Sequence, residues 1–175
     1  LFAVLSGGDV HNMVINMDGS GMTTTSGGSE SLTIIGGYLG SAIFGNLMVY
    51  AGAKGNSTSN IFAFIMIFIF MIATLFWISS IFALFWAIGY TICFYVLSKW
   101  KFLLSYVLMC IGLLSTIHIL QDFRVGPSSD LEAYEQTVGI FPASVWMYIW
   151  LILVVCLTCF NGYLIVKSEK VVKTT

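Results

Sequence analysis

Residues 55–98 contain no charged side chain, and this run of 44 residues constrains the fold more than any other feature of the sequence. A membrane-spanning helix needs about 20 mostly apolar residues, so the run is long enough for two spans. Across the chain 9% of residues are charged, whereas a soluble domain carries about 25%. The composition therefore excludes a water-soluble enzyme, a disordered chain and a secreted disulfide module, and a net charge of −1 offers no basic surface for nucleic acid.

The remaining apolar segments complete a pattern of repeated membrane spans. A β-hairpin is predicted at 9–26, because apolar and polar residues alternate there on either side of a turn. We predict one membrane domain over 1–175, an all-α polytopic protein with about five transmembrane helices, the end of a sixth, and this short β-hairpin near the N-terminus. The predicted bounds are 1–6 for the helix end, 32–52, 60–78, 80–98, 102–121 and 142–166 for the spans, 122–141 for a polar loop and 167–175 for a basic tail.

Charge is segregated between the two sides that five crossings define. One side carries a single acid, Glu169, and six lysines: Lys54, Lys99, Lys101, Lys167, Lys170 and Lys173. The other carries a single base, Arg124, and seven acids: Asp9, Asp18, Glu30, Asp122, Asp130, Glu132 and Glu135. The positive-inside rule predicts that the lysine-rich loops and the C-terminus are cytoplasmic and that the hairpin and the 122–141 loop lie opposite. The glycosylation sequon that begins at Asn56 would then carry no glycan in a eukaryotic host.

The first predicted span has small residues at intervals of four. Gly37, Ser41 and Gly45 form one such row, and Gly36 and Gly40 form a second. Small residues at this spacing allow helix backbones to approach closely in lipid. The row is either a tight helix-packing face or a face that lets a strand or a substrate come close.

Polar groups at membrane depth are the candidates for chemistry. His118 and Asp122 are separated by four residues and share a helix face at the end of the fourth span. An imidazole and a carboxylate can bind a divalent metal, although two ligands do not complete a zinc site. The alternative is a pair of membrane-boundary residues in contact with water, with Arg124 as an ion partner. Asn46, on the first span, is expected to form an interhelical hydrogen bond.

Other residues have simpler interpretations. His11 is expected to be an exposed polar residue of the hairpin, and Ser129 or Asp130 to cap a helix within the 122–141 segment. The four cysteines lie in apolar runs, at positions 93, 110, 156 and 159, and we expect them to be buried free thiols. Cys156 and Cys159 have a CxxC spacing without a second such pair, so no metal or redox role is assigned to them.

Several blocks, taken in order, resemble a known family. They are Leu1–Gly8, Asp18–Thr23, Gly37–Gly45, Gln121–Asp122 and Ser128–Asp130, followed by a final span that contains tryptophan. In this order they resemble the small peptidase-like membrane proteins related to the site-2 proteases, which are intramembrane zinc metalloproteases. The resemblance covers nearly the whole chain.

The resemblance implies zinc chemistry of which this sequence carries only part. In the family, a helix with His-Glu-x-x-His comes directly before the block that matches Leu1–Gly8; two histidines bind zinc and the glutamate is the general base. This sequence lacks that motif, so we expect an N-terminally truncated fragment, inactive by itself and without retained zinc. The resemblance makes Asp122 the candidate third zinc ligand, and we treat His118 and Asn46 as candidates that support the site or face the substrate.

The predicted hairpin resembles the family's membrane-associated strand element, and the resemblance implies that it guides substrate by edge pairing, a general mode of peptide recognition. The parent protein is therefore expected to hydrolyse peptide bonds in or near the bilayer, with a membrane protein or peptide as substrate and the lipid bilayer as its surroundings. The alternative is a non-catalytic polytopic scaffold or pseudoprotease. A small transporter is less favoured, because the spans contain few charges and no inverted repeat of interrupted helices.

Overall fold

The computed structural model describes residues 2–15, 21–78, 80–122 and 129–174. Within these ranges the chain forms seven helices and one two-stranded antiparallel sheet. In chain order the elements are α1 (Phe2–Leu5), β1 (Gly8–Ile15), β2 (Gly21–Gly27), α2 (Glu30–Ala53), α3 (Asn56–Phe76), α4 (Ile81–Lys99), α5 (Lys101–Asp122), α6 (Ser129–Val138) and α7 (Ala143–Thr174).

Local chemistry sets several of the helix ends. Ser29 caps α2, since its hydroxyl accepts a hydrogen bond from the Leu32 amide at 3.4 Å, and Glu30 places a carboxylate at the positive end of the helix dipole. Gly55 allows the sharp turn from α2 into α3, because its φ of 97° is a backbone conformation that residues with a Cβ rarely adopt. The Glu135 carboxylate caps α7, where it accepts a hydrogen bond from the Ala143 amide at 2.7 Å.

Helix α2 is the centre of the bundle and packs against α3, α5, α6 and α7, most extensively against α5. One apolar cluster lies between α2, α6 and α7, where Trp150 is buried against the rings of Tyr38 and Tyr134 at centroid distances of 5.6 and 5.2 Å. A second cluster joins α2 to α3, α4 and α5 around Leu104 and Leu108. Both clusters bury apolar side chains from several helices, so α2 is packed against one cluster with α6 and α7 and against the other with α3, α4 and α5.

Five of the helices, α2, α3, α4, α5 and α7, are long and apolar enough to cross a membrane. Between 17% and 33% of the residues in these spans are buried inside the protein, so most of their apolar side chains face outward. An outward apolar surface of this extent is stable only in lipid. The chain is therefore an integral multi-pass membrane protein associated with the bilayer.

The predicted fold class is confirmed, with five long apolar helices and a short hairpin near the N-terminus. Two segments differ in detail from the prediction. The 122–141 stretch contains α6, and α7 continues to Thr174 through residues that were expected to form a tail. The predicted hairpin turn spans 18–21, and its residues 18–20 lie outside the described residues, as does Arg124.

The prediction of buried cysteines was wrong. All four are free and exposed on the surfaces of the membrane-spanning helices. An apolar run in a membrane helix supplies both the packed face and the lipid face, so hydropathy alone does not place a thiol on one or the other.

Candidate functional site

The candidate site lies at the hairpin end of the bundle, which we define as the end holding the hairpin, the start of α2 and the end of α5. The two strands pair antiparallel, and their register shifts between Val10 and Asn12, so that His11 is the extra residue of a β-bulge. His11 is exposed as predicted, and its Nε2 atom lies 2.5 Å from the Ser26 hydroxyl across the hairpin.

One edge of the hairpin is occupied by the rest of the protein. The Met13 amide donates a hydrogen bond to the Trp77 carbonyl at 2.9 Å, and Met13 and Ile78 form a parallel β-bridge. The connection between α3 and α4 therefore acts as a short third strand beside β1. This contact fixes the hairpin to the helical bundle, as a lone two-stranded hairpin needs for stability.

The same hydrogen bond determines which backbone amide and carbonyl groups of β2 point away from β1. Because the Met13 amide points away from β2, Met13 and its partner Thr23 form a non-hydrogen-bonded pair. The amide and carbonyl of Thr23 must then point outward, and alternation along the strand gives Gly21 and Thr25 the same direction. We call this side of β2 the open edge; among the described residues no backbone group pairs with it.

A groove of about 1100 Å³ lies against the hairpin and includes residues of the open edge. It is bounded by both strands, α1 and α2, and reaches Met66 on α3. Small residues form its floor where α1 meets α2: the Phe2 ring packs directly against Gly36, and a Cβ added to Gly40 would lie 3.5 Å from that ring. Any side chain at Gly36 would displace Phe2, so the glycine shapes this wall of the groove.

A second cavity of about 490 Å³ continues from the groove into the space between α2, α5 and α6. Four residues line both spaces: Gly37, Ser41, Ser115 and Asp130. The Ser115 hydroxyl donates to the Ser41 carbonyl at 3.2 Å and holds α5 against α2 at this point. His118 lines the inner cavity, so the groove leads from the open edge to an imidazole.

The structure brings some of the candidate residues together and separates others. Gly37, Ser41 and His118 line the inner cavity, and Gly40 lines the groove. Gly45 is buried against α5, which it contacts through Gly112. Asp122 is the last residue of α5, and its side chain lies outside the described residues.

Asn46 lies away from both cavities. Its side-chain amide donates to the Ala42 carbonyl at 3.0 Å and to the Thr158 hydroxyl at 3.3 Å. The Asn161 amide donates in turn to the Asn46 backbone carbonyl at 2.8 Å and to its Oδ1 at 3.1 Å. The expected interhelical hydrogen bond is therefore present, and it joins α2 to α7.

Asp130 is the site residue that the sequence interpretation missed. It was interpreted as a helix cap, yet it is exposed and lines both the groove and the inner cavity. Leu131, next to it, is fully buried in the cluster shared with α2 and α7. Burial of that neighbour holds the start of α6 over the cavity, a tertiary contact for which the local sequence carries no signal.

The described residues do not by themselves complete a metal site. Among the side chains within 2–15, 21–78, 80–122 and 129–174 that the structure describes, no three His, Cys, Asp or Glu residues lie close enough to hold an ion. A catalytic zinc needs three protein ligands and an open position. His118 and Asp130 supply two suitable donors on one cavity, which is fewer than zinc requires.

Comparison with known proteins gives one family relationship. The model of a family described as Peptidase M50B-like matches residues 1–161. No curated protein and no solved structure matches the chain.

Proposed function

The chain belongs to the Peptidase M50B-like family, and from this membership we propose that residues 1–175 bind an extended peptide in the groove as part of a membrane metallopeptidase-like protein. The observation that carries the proposal is the open edge of β2, which has outward amide and carbonyl groups and whose residues Gly21, Thr23 and Thr25 line the groove. An extended peptide would add a third strand to the hairpin there, with main-chain hydrogen bonds that do not depend on its sequence.

Edge pairing also answers a problem specific to substrates in lipid. A peptide that unwinds in the bilayer exposes amide and carbonyl groups, and each unpaired group costs several kcal/mol. The outward groups of Gly21, Thr23 and Thr25 would satisfy one side of the unwound segment. Phe2, Met22, Phe44 and Met66 would receive apolar side chains from it.

The inner cavity is where chemistry on a bound peptide would take place. Zinc is the cofactor that the family membership suggests, and when bound it would activate a water and polarise the scissile carbonyl. Asp122, by its place in the resemblance, and Asp130, by its place in the cavity, are the candidate carboxylate ligands. His118 lines the same cavity as Asp130. No hydrolytic step is assigned to the described residues, because they do not complete the ligand set.

A non-catalytic role is the second candidate. The two histidines, His11 and His118, are far apart in sequence, and the 175 residues contain no His-Glu-x-x-His. A protein with the groove but without the catalytic ligands would hold peptides or membrane proteins without cleaving them. Both proposed functions use the same peptide-binding groove, but only the first includes hydrolysis of the bound peptide.

The binding proposal is tested with a synthetic probe, a 12-residue peptide of alternating valine and threonine with a central photo-crosslinker. With the chain in lipid nanodiscs, we expect cross-links to β2 and to the α2 face of the groove. Thr23→Pro removes one outward amide, so it should lower cross-linking about tenfold, as expected when one hydrogen bond is lost and a donor's place is blocked. Thr23→Val is the matched control, because it keeps the amide and should bind normally.

Amide hydrogen exchange in the unsubstituted chain provides a second test, which does not depend on whether Thr23→Pro disturbs the hairpin. In the free chain the Thr23 and Thr25 amides should exchange faster than that of Thr24, which faces β1. The probe should protect Thr23 and Thr25 and leave Thr24 unchanged. Cross-links confined to the lysine-bearing helix ends, or protection that ignores this alternation, would contradict edge pairing.

Hydrolysis is measured separately from binding. Residues 1–175 should bind the probe without cleaving it in the presence of zinc. Cleavage that Asp122→Ala or Asp130→Ala abolishes, with probe binding intact, would show instead that this chain carries a working metal centre. The metal content of the same variants, measured by mass spectrometry, identifies which carboxylate is a ligand.

A further inference from the structure

Three lysines share one local arrangement on three different helices. Each ammonium lies over the ring of the tyrosine four residues before it, within the range of a cation–π interaction. The distances from Nζ to the ring centroid are 5.4 Å for Lys54 and Tyr50 at the end of α2, 4.9 Å for Lys99 and Tyr95 on α4, and 5.9 Å for Lys167 and Tyr163 on α7. We call these the Lys–Tyr pairs.

The pairs lie at one end of the bundle, opposite the hairpin end. The Ser59 hydroxyl donates to the Ala51 carbonyl at 3.0 Å and lies 2.8 Å from the Ser105 hydroxyl, so the end of α2 and the starts of α3 and α5 are together. Lys99 ends α4, and α5 begins at Lys101. The end of α4 is therefore at the same level.

The position of Lys167 along the axis of the bundle follows from the contact between α2 and α7. Asn46 and Asn161 are hydrogen bonded, and both helices run in the same direction away from the hairpin end. At 1.5 Å per residue, Lys54 lies about 12 Å beyond Asn46 and Lys167 about 9 Å beyond Asn161. The three pairs thus mark one plane across the bundle, at the level where helices leave the apolar layer.

The helical geometry fixes where each charge is held. Side chains of a helix lean toward its N-terminus, so a lysine placed four residues after a tyrosine folds back over the ring. The ammonium then lies over the tyrosine ring and does not extend freely into water. Each pair presents two hydrogen-bond donors, the charged ammonium and the phenol hydroxyl of the ring that it covers.

Within the described part of the chain, no carboxylate neutralises these charges. Lys54, Lys99 and Lys167 are exposed, and among the side chains that the structure describes none forms an ion pair with them. The described acids Glu30 and Asp130 lie at the hairpin end, beside the groove. The charges at the lysine end are therefore available to a partner outside the chain.

We propose that each Lys–Tyr pair binds the headgroup phosphate of an anionic phospholipid. The ammonium and the phenol hydroxyl together match the several acceptor oxygens of a phosphate, and a tyrosine at the membrane–water interface keeps its ring in the apolar layer. Negative lipid surfaces attract lysines at this depth. A headgroup with its own cation competes for the phosphate charge, so anionic lipids are favoured over zwitterionic ones.

The distribution of the pairs favours lipid over a protein partner. Helix α4 packs against α3 and α5, whereas α7 packs against α2 and α6. The pairs are accordingly spread around the bundle and do not form one contiguous patch. Lipids surround a membrane protein on all sides and can occupy separated sites of this kind.

The test compares retention of phosphatidylglycerol and phosphatidylcholine by the purified chain, measured by native mass spectrometry. Lys54→Gln, Lys99→Gln and Lys167→Gln should each lower the preference for phosphatidylglycerol about fivefold at the affected site. The matched controls are Lys170→Gln and Lys173→Gln, which remove the same charge from positions that have no tyrosine four residues earlier. Each control should have less than half the effect on lipid preference.

Tyrosine variants distinguish the contribution of the Lys–Tyr pair from that of the lysine charge alone. Replacing Tyr50, Tyr95 and Tyr163 by leucine keeps every lysine and should lower the preference about two- to fivefold per site, the range of an interfacial cation–π contact. Equal retention of the two lipids, or equal effects of the paired and control lysines, would overturn the proposal. So would displacement of the lipid by soluble polyglutamate, since that would indicate an acidic protein partner. Single variants are compared if the triple variant fails to fold.

Discussion

Gly45 and Gly112 face each other where α2 crosses α5, and neither position has room for a side chain. A Cβ on Gly45 would lie 2.9 Å from the Gly112 carbonyl oxygen, and a Cβ on Gly112 would overlap the Gly45 carbonyl. The two backbones are in direct contact, as small residues permit in membranes. This crossing brings Ser41 and Ser115 together one turn away and so forms the wall shared by the groove and the inner cavity.

We expect Gly112→Ala to destabilise the protein by about 1–3 kcal/mol, because the added methyl group must separate α2 from α5. Thermal unfolding in detergent, followed by circular dichroism, measures the change. Gly89→Ala on α4 is the matched control, since nothing lies within 4 Å of its added Cβ. The control should be neutral or stabilising by up to about 1 kcal/mol from helix propensity. Equal losses in both variants would contradict close packing at the crossing.

Asn161→Ala should weaken the contact between α2 and α7 by about 0.6–1.7 kcal/mol, from the average to the largest value found for hydrogen bonds between membrane helices. The substitution leaves Oδ1 of Asn46 without its donor. Cys159→Ala, at an exposed position on the same helix, is the control and should leave stability unchanged. The difference is measured by chemical unfolding in mixed micelles. A double variant with Asn46→Ala that is strictly additive would show that the two residues are not coupled.

Glu135→Ala should cost about 1 kcal/mol, because the start of α7 loses the carboxylate that caps the Ala143 amide. Gln136→Ala changes the exposed neighbour and should have little effect. Amide exchange at residues 143–146 gives the local readout, and we expect faster exchange there in Glu135→Ala alone. Unchanged exchange would mean that the cap does not hold in the membrane.

The sequon at Asn56 tests the side on which the Lys–Tyr pairs lie. Asn56 is exposed at the start of α3, and the charge pattern predicts that this end is cytoplasmic, where no glycan is added. Expression in a eukaryotic host should give a chain whose mobility is unchanged by glycosidase. Pro127→Asn creates an acceptor on the opposite side and should produce a glycosidase-sensitive shift. A glycan on Asn56 would reverse the orientation.

Much of the architecture was predictable because uncharged apolar runs and period-two alternation are local signals. Residues 55–98 form two helices that are separated near Ser80, and the alternating residues before and after the turn form β1 and β2. These patterns depend on the spacing of residues within one segment, which the sequence displays directly.

The site was less predictable because it depends on contacts between segments. Asp130 reaches the cavity only because Leu131 is buried against α2 and α7. The exposed cysteines were misplaced for a related reason, since the packed and lipid-facing sides of a membrane helix are both apolar. Small residues indicated the face of α2 that packs closely, but its partner Gly112 became evident only when α5 was in place.

The hydrogen bond from Met13 to Trp77 limits how the hairpin can assemble with other strands. Because β1 is already occupied, the sheet can grow only from β2, and it accepts one strand at a time. Two copies joined through β2 would have no unpaired edge left for a third, so pairing would stop at a dimer. Although β2 has an unpaired edge that can bind a peptide, the occupied edge of β1 prevents the sheet from polymerising.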